Sequence, residues 1–160
     1  MTSYLWIKWL HLIGAALLFG TGLGIAFFAW FGYRRGLQTG EIALVRGVLR
    51  LTVIADTVFT AVAAAVQPIT GYVMWRMTGG KWPDQWLLWV LALYVFVGLC
   101  WLPVVRLQIQ LRDEAAQAST IGELSARFHR RFRIWFALGW PAFLGVMGLF
   151  VLMLTRANFR

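Results

Sequence analysis

The sequence predicts an all-α membrane protein, an antiparallel bundle of four transmembrane helices. Three observations carry that expectation: 61% of the 160 residues are hydrophobic, only 13% are charged, and the charges fall between long apolar runs. A soluble domain has roughly a quarter of its residues charged. A hydrocarbon core about 30 Å thick takes around 20 helical residues to cross, and four stretches qualify: residues 4–31, 51–75, 86–105 and 134–154. Together they leave no length for a second domain. The net charge of +9 is read as membrane topology and not as a nucleic-acid footprint, which would need a basic patch on a soluble fold.

The first stretch is longer than a signal-peptide core and has no basic segment before it, so it is expected to stay as the first spanning helix. Between the second and third stretches, Gly79-Gly80 and Pro83-Asp84 are turn signals that predict a short reversal. Residues 107–118 contain no breaker and are expected to prolong the third helix. Thr120-Ile121-Gly122-Glu123 has the capping-box pattern expected to open the fourth. Ile121, Leu124, Phe128 and Trp135 then recur at near-helical spacing, so helices three and four are expected to project from the membrane. Their basic segment, residues 127–133 with His129 inside it, suits a surface of anionic lipid.

Basic residues are retained on the cytoplasmic face of a membrane. The first and third connections carry Arg34, Arg35, Arg46, Arg50, Arg106, Arg112, Arg127, Arg130, Arg131 and Arg133, against Lys8, Arg76, Lys81, Arg156 and Arg160 on the other face. The imbalance predicts both termini outside, in the periplasm of a bacterial inner-membrane protein. Indoles favour the membrane boundary, and all ten tryptophans are read as anchors: Trp6, Trp9, Trp75, Trp82, Trp86 and Trp89 at the outer boundary, Trp30, Trp101, Trp135 and Trp140 toward the inner one. The single cysteine, Cys100, permits no disulfide within the chain.

An ionisable side chain inside a span is costly and marks a candidate site. His11 is the only intramembrane histidine, about 10 Å below the outer end of its helix at 1.5 Å per residue. Gly14, Ala15, Leu18 and Gly22 share its face, leaving space in which haem could approach a neutral imidazole. Small residues, including the pair Gly20 and Gly24, equally serve close helix packing. Lys8 could reach a haem propionate, and Met147 is the candidate second axial ligand. On the second span, Thr52, Asp56, Thr60, Ala63, Gln67 and Thr70 form a stripe about 80° wide that is expected to face the bundle interior. Pro68 should free the carbonyl one turn earlier for another partner. Pro103 and Pro141 predict kinks near the inner ends of the third and fourth helices.

The motifs Tyr4-Leu-Trp-Ile-Lys-Trp-Leu-His11, Leu18-Phe-Gly-Thr-Gly22, Gln67-Pro-Ile-Thr-Gly71 and Trp101-Leu-Pro-Val-Val-Arg-Leu-Gln108 resemble the predicted integral-membrane proteins grouped as DUF2269. More distantly, the opening Tyr-Leu-Trp-Ile-Lys with a following histidine is similar to HemJ-type protoporphyrinogen oxidase and to CopD-like membrane proteins. The HemJ likeness implies haem b on His11. The chain departs from HemJ in lacking a Tyr-Leu-Pro-Arg segment at the end of the first helix, where Phe28-Ala-Trp-Phe-Gly-Tyr-Arg-Arg35 stands, and in having no intramembrane lysine in the third.

The leading expectation is therefore a haem b protein of electron transfer or porphyrin oxidation with His11 as ligand. The alternatives are an ion or small-molecule transporter, for protons or copper, built on Asp56 and its stripe and implying a homo-oligomer, and a non-catalytic membrane subunit that stabilises a partner in a larger complex through the Gly20 to Gly24 face and its basic cytoplasmic end.

Overall fold

A computed structural model describes residues 2–155. Four helices make up most of it: α1 (Thr2–Thr39), α2 (Ile42–Met77), α3 (Gln85–Gln117) and α4 (Ala126–Leu154). All four are long and apolar enough to cross a bilayer, and no strand occurs among the described residues. Hydrocarbon offers no water to a backbone N–H or C=O, so each spanning segment must satisfy these groups within itself, as a helix does. Connections one and three share the arginine-rich end of the bundle, while both termini and the second connection share the terminal end. Arg156 and Arg160, two of the basic residues assigned to the terminal face, lie outside the described residues.

All four helices run past their apolar stretches, not only the third and fourth. The first connection shrinks to Gly40-Glu41, and Gly40 adopts the left-handed φ of 75° that ends α1. Two glycines allow α2 to fold back closely on α1. A Cβ on Gly32 would stand 2.5 Å from Val48 Cγ1, and one on Gly36 would stand 2.5 Å from Val45 Cγ2.

The tightest packing lies at the arginine-rich end, where Val45, Leu49, Leu111, Ala115, Phe128 and Phe132 are fully buried in one cluster with Ala29 and Trp135. Arg46 fastens it by donating Nε to the Ala115 carbonyl at 3.0 Å and Nη2 to that of Ala118, capping α3 where its last carbonyls lack helical partners. Arg131 pairs with Glu114, and Tyr33 shares a 2.6 Å hydrogen bond with His129. The third connection departs from expectation in one detail. Thr120 to Glu123 does not open α4 but a 3-10 turn (Ile121–Glu123), in which Glu123 Oε2 accepts from the Ser119 N–H. Leu124 is buried in the core there, and the helix begins after it with Ser125 accepting from Phe128 N–H.

At the terminal end the expected turn forms around Trp75. This indole is no membrane anchor: it is 4% exposed, lies where a Cβ on Gly80 would be, and donates to Asp84 Oδ2 at 2.7 Å. The other oxygen of Asp84 accepts from Leu87 N–H and so caps α3. One carboxylate thereby sets both the turn and the start of the next helix.

Helix α2 carries a π-helical turn over Asp56–Ala61 and continues through Pro68. Proline has no N–H for the carbonyl four residues back, which is that of Ala64. The Tyr94 hydroxyl of α3 donates to this carbonyl. We expect Tyr94→Phe to cost about 1 kcal/mol, because it leaves a buried carbonyl unpaired. In a Pro68→Ala background, where residue 68 regains its N–H, the cost should largely vanish. Thermal melts of the four proteins in one detergent measure this coupling, and equal penalties in both backgrounds would refute the pairing.

Candidate functional site

The stripe on α2 turns inward along its whole length: Thr52, Asp56, Thr60, Ala63, Gln67 and Thr70 are all buried. Its two ends meet different partners. Toward the terminal end it meets His11, and toward the arginine-rich end it meets α3 and α4.

His11 is 7% exposed, and three contacts fix it. Its Nδ1 lies 2.8 Å from Thr70 Oγ1, whose own proton is directed to the Val66 carbonyl at 2.9 Å. With its proton on that carbonyl the hydroxyl oxygen can accept, and in the tautomer that uses it Nδ1 carries the proton and the lone pair is on Nε2. The ring also lies within hydrogen-bonding reach of the Gln67 backbone carbonyl. Gln67 donates Nε2 to the His11 backbone carbonyl at 2.8 Å, and Gly71 lets the ring lie close, since a Cβ there would sit 3.3 Å from the imidazole Cε1.

The surroundings of His11 divide the glycines by role. Gly14 is small because Gln67 occupies the space beside it: a Cβ would approach the Gln67 amide nitrogen to 2.4 Å. A flat ligand cannot use that position. Gly22 has open space where its Cβ would be, and Ala15 and Leu18 between it and His11 are half-buried. Gly20 and Gly24 touch nothing within the chain that a Cβ would meet, so the small pair that joins α1 to α2 is Gly32 and Gly36 instead. Lys8 is exposed one turn before His11. Met147 shares a face of α4 with Phe143 and Phe150, whose rings both meet Phe19. Phe19 is eight residues from His11, or about 12 Å along α1. The structure thus joins His11, Gly14, Gln67 and Thr70 but does not bring Met147 to them.

At the other end of the stripe, Asp56 is 6% exposed and sits at the start of the π turn. Gln108 Nε2 donates to Asp56 Oδ2 at 2.6 Å, and Trp101 Nε1 donates to Oδ1 at 3.3 Å. Gln108 Oε1 in turn accepts from Trp135 Nε1 at 3.3 Å. Four side chains from α2, α3 and α4 thus form one network in which the carboxyl has only neutral donors. The Thr60 hydroxyl, one turn on, is buried with no hydrogen-bonding partner of good geometry among the described residues.

Sequence reasoning did not find Gln108, Trp101 or Trp135 as members of this cluster. Gln108 lies beyond the apolar stretch of its helix, and the two indoles were read as boundary anchors. A signal was present: Trp101 and Gln108 are seven residues apart and share one helical face, at the depth expected of Asp56. No group of three or more His, Cys, Asp or Glu side chains able to hold a bare metal ion occurs among the described residues.

Gln108→Leu should be more harmful than removing the network whole, since it leaves a buried carboxyl short of a donor, at about 1–3 kcal/mol. Unfolding in mixed micelles is expected to rank Gln108→Leu below the double variant Asp56→Leu/Gln108→Leu. The reverse order would mean that the carboxyl does not depend on Gln108.

No curated protein and no solved structure matches the chain. A family model described as predicted integral membrane protein (DUF2269) matches residues 5–157, nearly the full length. With four apolar helices and that match, the chain is an integral membrane protein belonging to the DUF2269 family.

Proposed function

We propose that the protein binds a haem-type metalloporphyrin through His11 Nε2, in the half of the membrane nearer the termini. The observation that supports this is the fixing of the imidazole, whose Nδ1 lies 2.8 Å from a hydroxyl that is itself bonded to the backbone, in an arrangement whose Nδ1–H tautomer offers Nε2 as the donor. Histidine ligands are commonly oriented in this way, the second nitrogen setting the tautomer and the ring plane. The donor suits iron, and the open side of the helix at Ala15, Leu18 and Gly22 suits a flat ring better than the filled side at Gly14. Lys8 is placed one turn from the ligand, within reach of a propionate. When bound, such a group supplies one-electron chemistry, while this chain supplies a neutral nitrogen and an apolar surround. The arginine excess places connections one and three in the cytoplasm and the His11 end toward the periplasm of a bacterial inner membrane.

The test is the absorption spectrum, oxidised and dithionite-reduced, of protein purified in mild detergent from cells supplied with a haem precursor. A Soret band lost in His11→Ala is expected. Thr70→Val should keep the fold but lower haem retention by about 10- to 100-fold, as loss of an outer-shell partner does. Folded protein without a Soret band after haem-replete expression overturns the reading.

A second reading has its own observation: a carboxyl buried in a span with no cation beside it, at a π turn, next to the buried Thr60 hydroxyl. Side chains of this kind mark proton and ion paths in membranes, and π turns gather at functional positions. In this reading Asp56 takes up and releases a proton during ion movement. Proteoliposomes loaded with a pH-sensitive dye should then acidify under an imposed potential, and Asp56→Asn should abolish the flux without altering any haem spectrum. Flux equal to that of empty liposomes, or unchanged in Asp56→Asn, removes it.

A further inference from the structure

At the arginine-rich end, α2 and α3 diverge around a cleft of about 470 Å³ lined by Arg46, Gly47, Arg50, Val53, Ile54, Arg112 and Ala116. The polar side chains of its lining are all arginines. Arg46 gives Nε and Nη2 to the carbonyls that end α3 and pairs with no acid among the described residues, so its charge stays uncompensated. Arg112 pairs with Asp113 at 2.7 Å, and Arg50 makes no ion pair among the described residues. Three guanidinium groups therefore face one carboxylate, and the excess charge is positive.

The floor of the cleft is apolar. Val53 and Ile54 lie one turn deeper than Arg50, and Arg50, Ile54 and Val58 follow one another at four-residue spacing along one face of α2. Leu51, Ile54 and Val58 are exposed and, in an apolar span, face lipid. The cleft thus has cations where the headgroups of a bilayer lie and a greasy track leading from it into the hydrocarbon. A basic pocket between membrane helices with this layout suits an anionic phospholipid: guanidinium forks bind phosphate oxygens, and an acyl chain continues along the helix. Gly47 contributes by having no side chain, since nothing lies within 4 Å of where its Cβ would be.

We infer that the cleft between α2 and α3 seats the phosphate of one anionic phospholipid, held by Arg46, Arg50 and Arg112, with an acyl chain along Ile54 and Val58. This seat is separate from the basic surface of residues 127–133, and it is independent of what His11 binds. Because Arg46 also ties α2 to the end of α3, a lipid here joins the same two helices that the arginine joins.

The test uses the full chain purified in non-ionic detergent, with lipid retention read by native mass spectrometry. Phosphatidylglycerol should remain bound as one molecule under conditions that strip phosphatidylcholine. Arg50→Gln/Arg112→Gln should weaken its retention by about fivefold for each charge removed. Gly47→Leu keeps every arginine and fills the cleft, and it should weaken retention to a similar degree. If the charge variant fails to fold, Gly47→Leu alone decides. Equal retention of phosphatidylcholine, retention in Gly47→Leu at the level of the parent, or displacement of phosphatidylglycerol by excess inorganic phosphate would each overturn the inference, the last by showing a site for small anions.

Discussion

Between helices surrounded by hydrocarbon, apolar side chains gain little by meeting one another, because lipid tails are as apolar as they are. The arrangement of this bundle within the membrane therefore depends on its few polar contacts, above all the network that ties the Asp56 carboxyl to Gln108 and Trp101, and Gln108 to Trp135. It joins three of the four helices. Tyr94 on the Ala64 carbonyl fixes α3 against α2 again farther along, and His11 with Gln67 and Thr70 fixes α1. A slip of any helix by one residue would misalign at least one of these bonds in a medium with no water to replace it. The polar stripe of α2 serves as the common rail on which the other three helices are registered.

Outside the hydrocarbon the balance changes. At the arginine-rich end the helices protrude, water is present, and burial of Phe128, Phe132, Leu49 and Leu111 is favourable in the ordinary way. The same chain thus uses two solvents and two kinds of cohesion: side-chain hydrogen bonds inside the bilayer and an apolar core beyond it. The proposed lipid seat lies where the two meet.

Much of this was legible in the sequence, and the reason differs by feature. The four helices follow from hydropathy, which a bilayer enforces directly. The inward face of α2 follows from helical period, and the partner of Ala64 from the chemistry of proline, although nothing local named Tyr94 as that partner. What was not legible depends on which helix faces which. The indoles of Trp75, Trp101 and Trp135 have the same propensity whether they anchor to a boundary or donate to a carboxyl or an amide oxygen, and only the fold distinguishes the two. Among the glycines, composition could not separate Gly20 and Gly24, which meet nothing, from Gly32 and Gly36, which receive valines. The capping-box pattern was met only in part, since Glu123 turns back to the Ser119 N–H while Thr120 caps nothing, and with Leu124 drawn into the core the helix starts again at Ser125.

The uneven packing has a mechanical meaning. The compact cluster around Val45, Leu111 and Phe128 clamps the helices at one end, while toward the termini α1 and α2 meet at Gly14 and Gly71 and are tied there by side-chain hydrogen bonds. A bundle clamped at that cluster has the geometry of a pair of tongs with its pivot at the inner edge of the membrane. Ala29 lies in the clamp and His11 eighteen residues away, roughly 27 Å along α1. At that radius a tilt of about 5° at the pivot displaces the imidazole by roughly 2 Å, a lever arm computed from the same rise per residue. A tilt at the cluster is by this geometry magnified at the far end, where His11 lies.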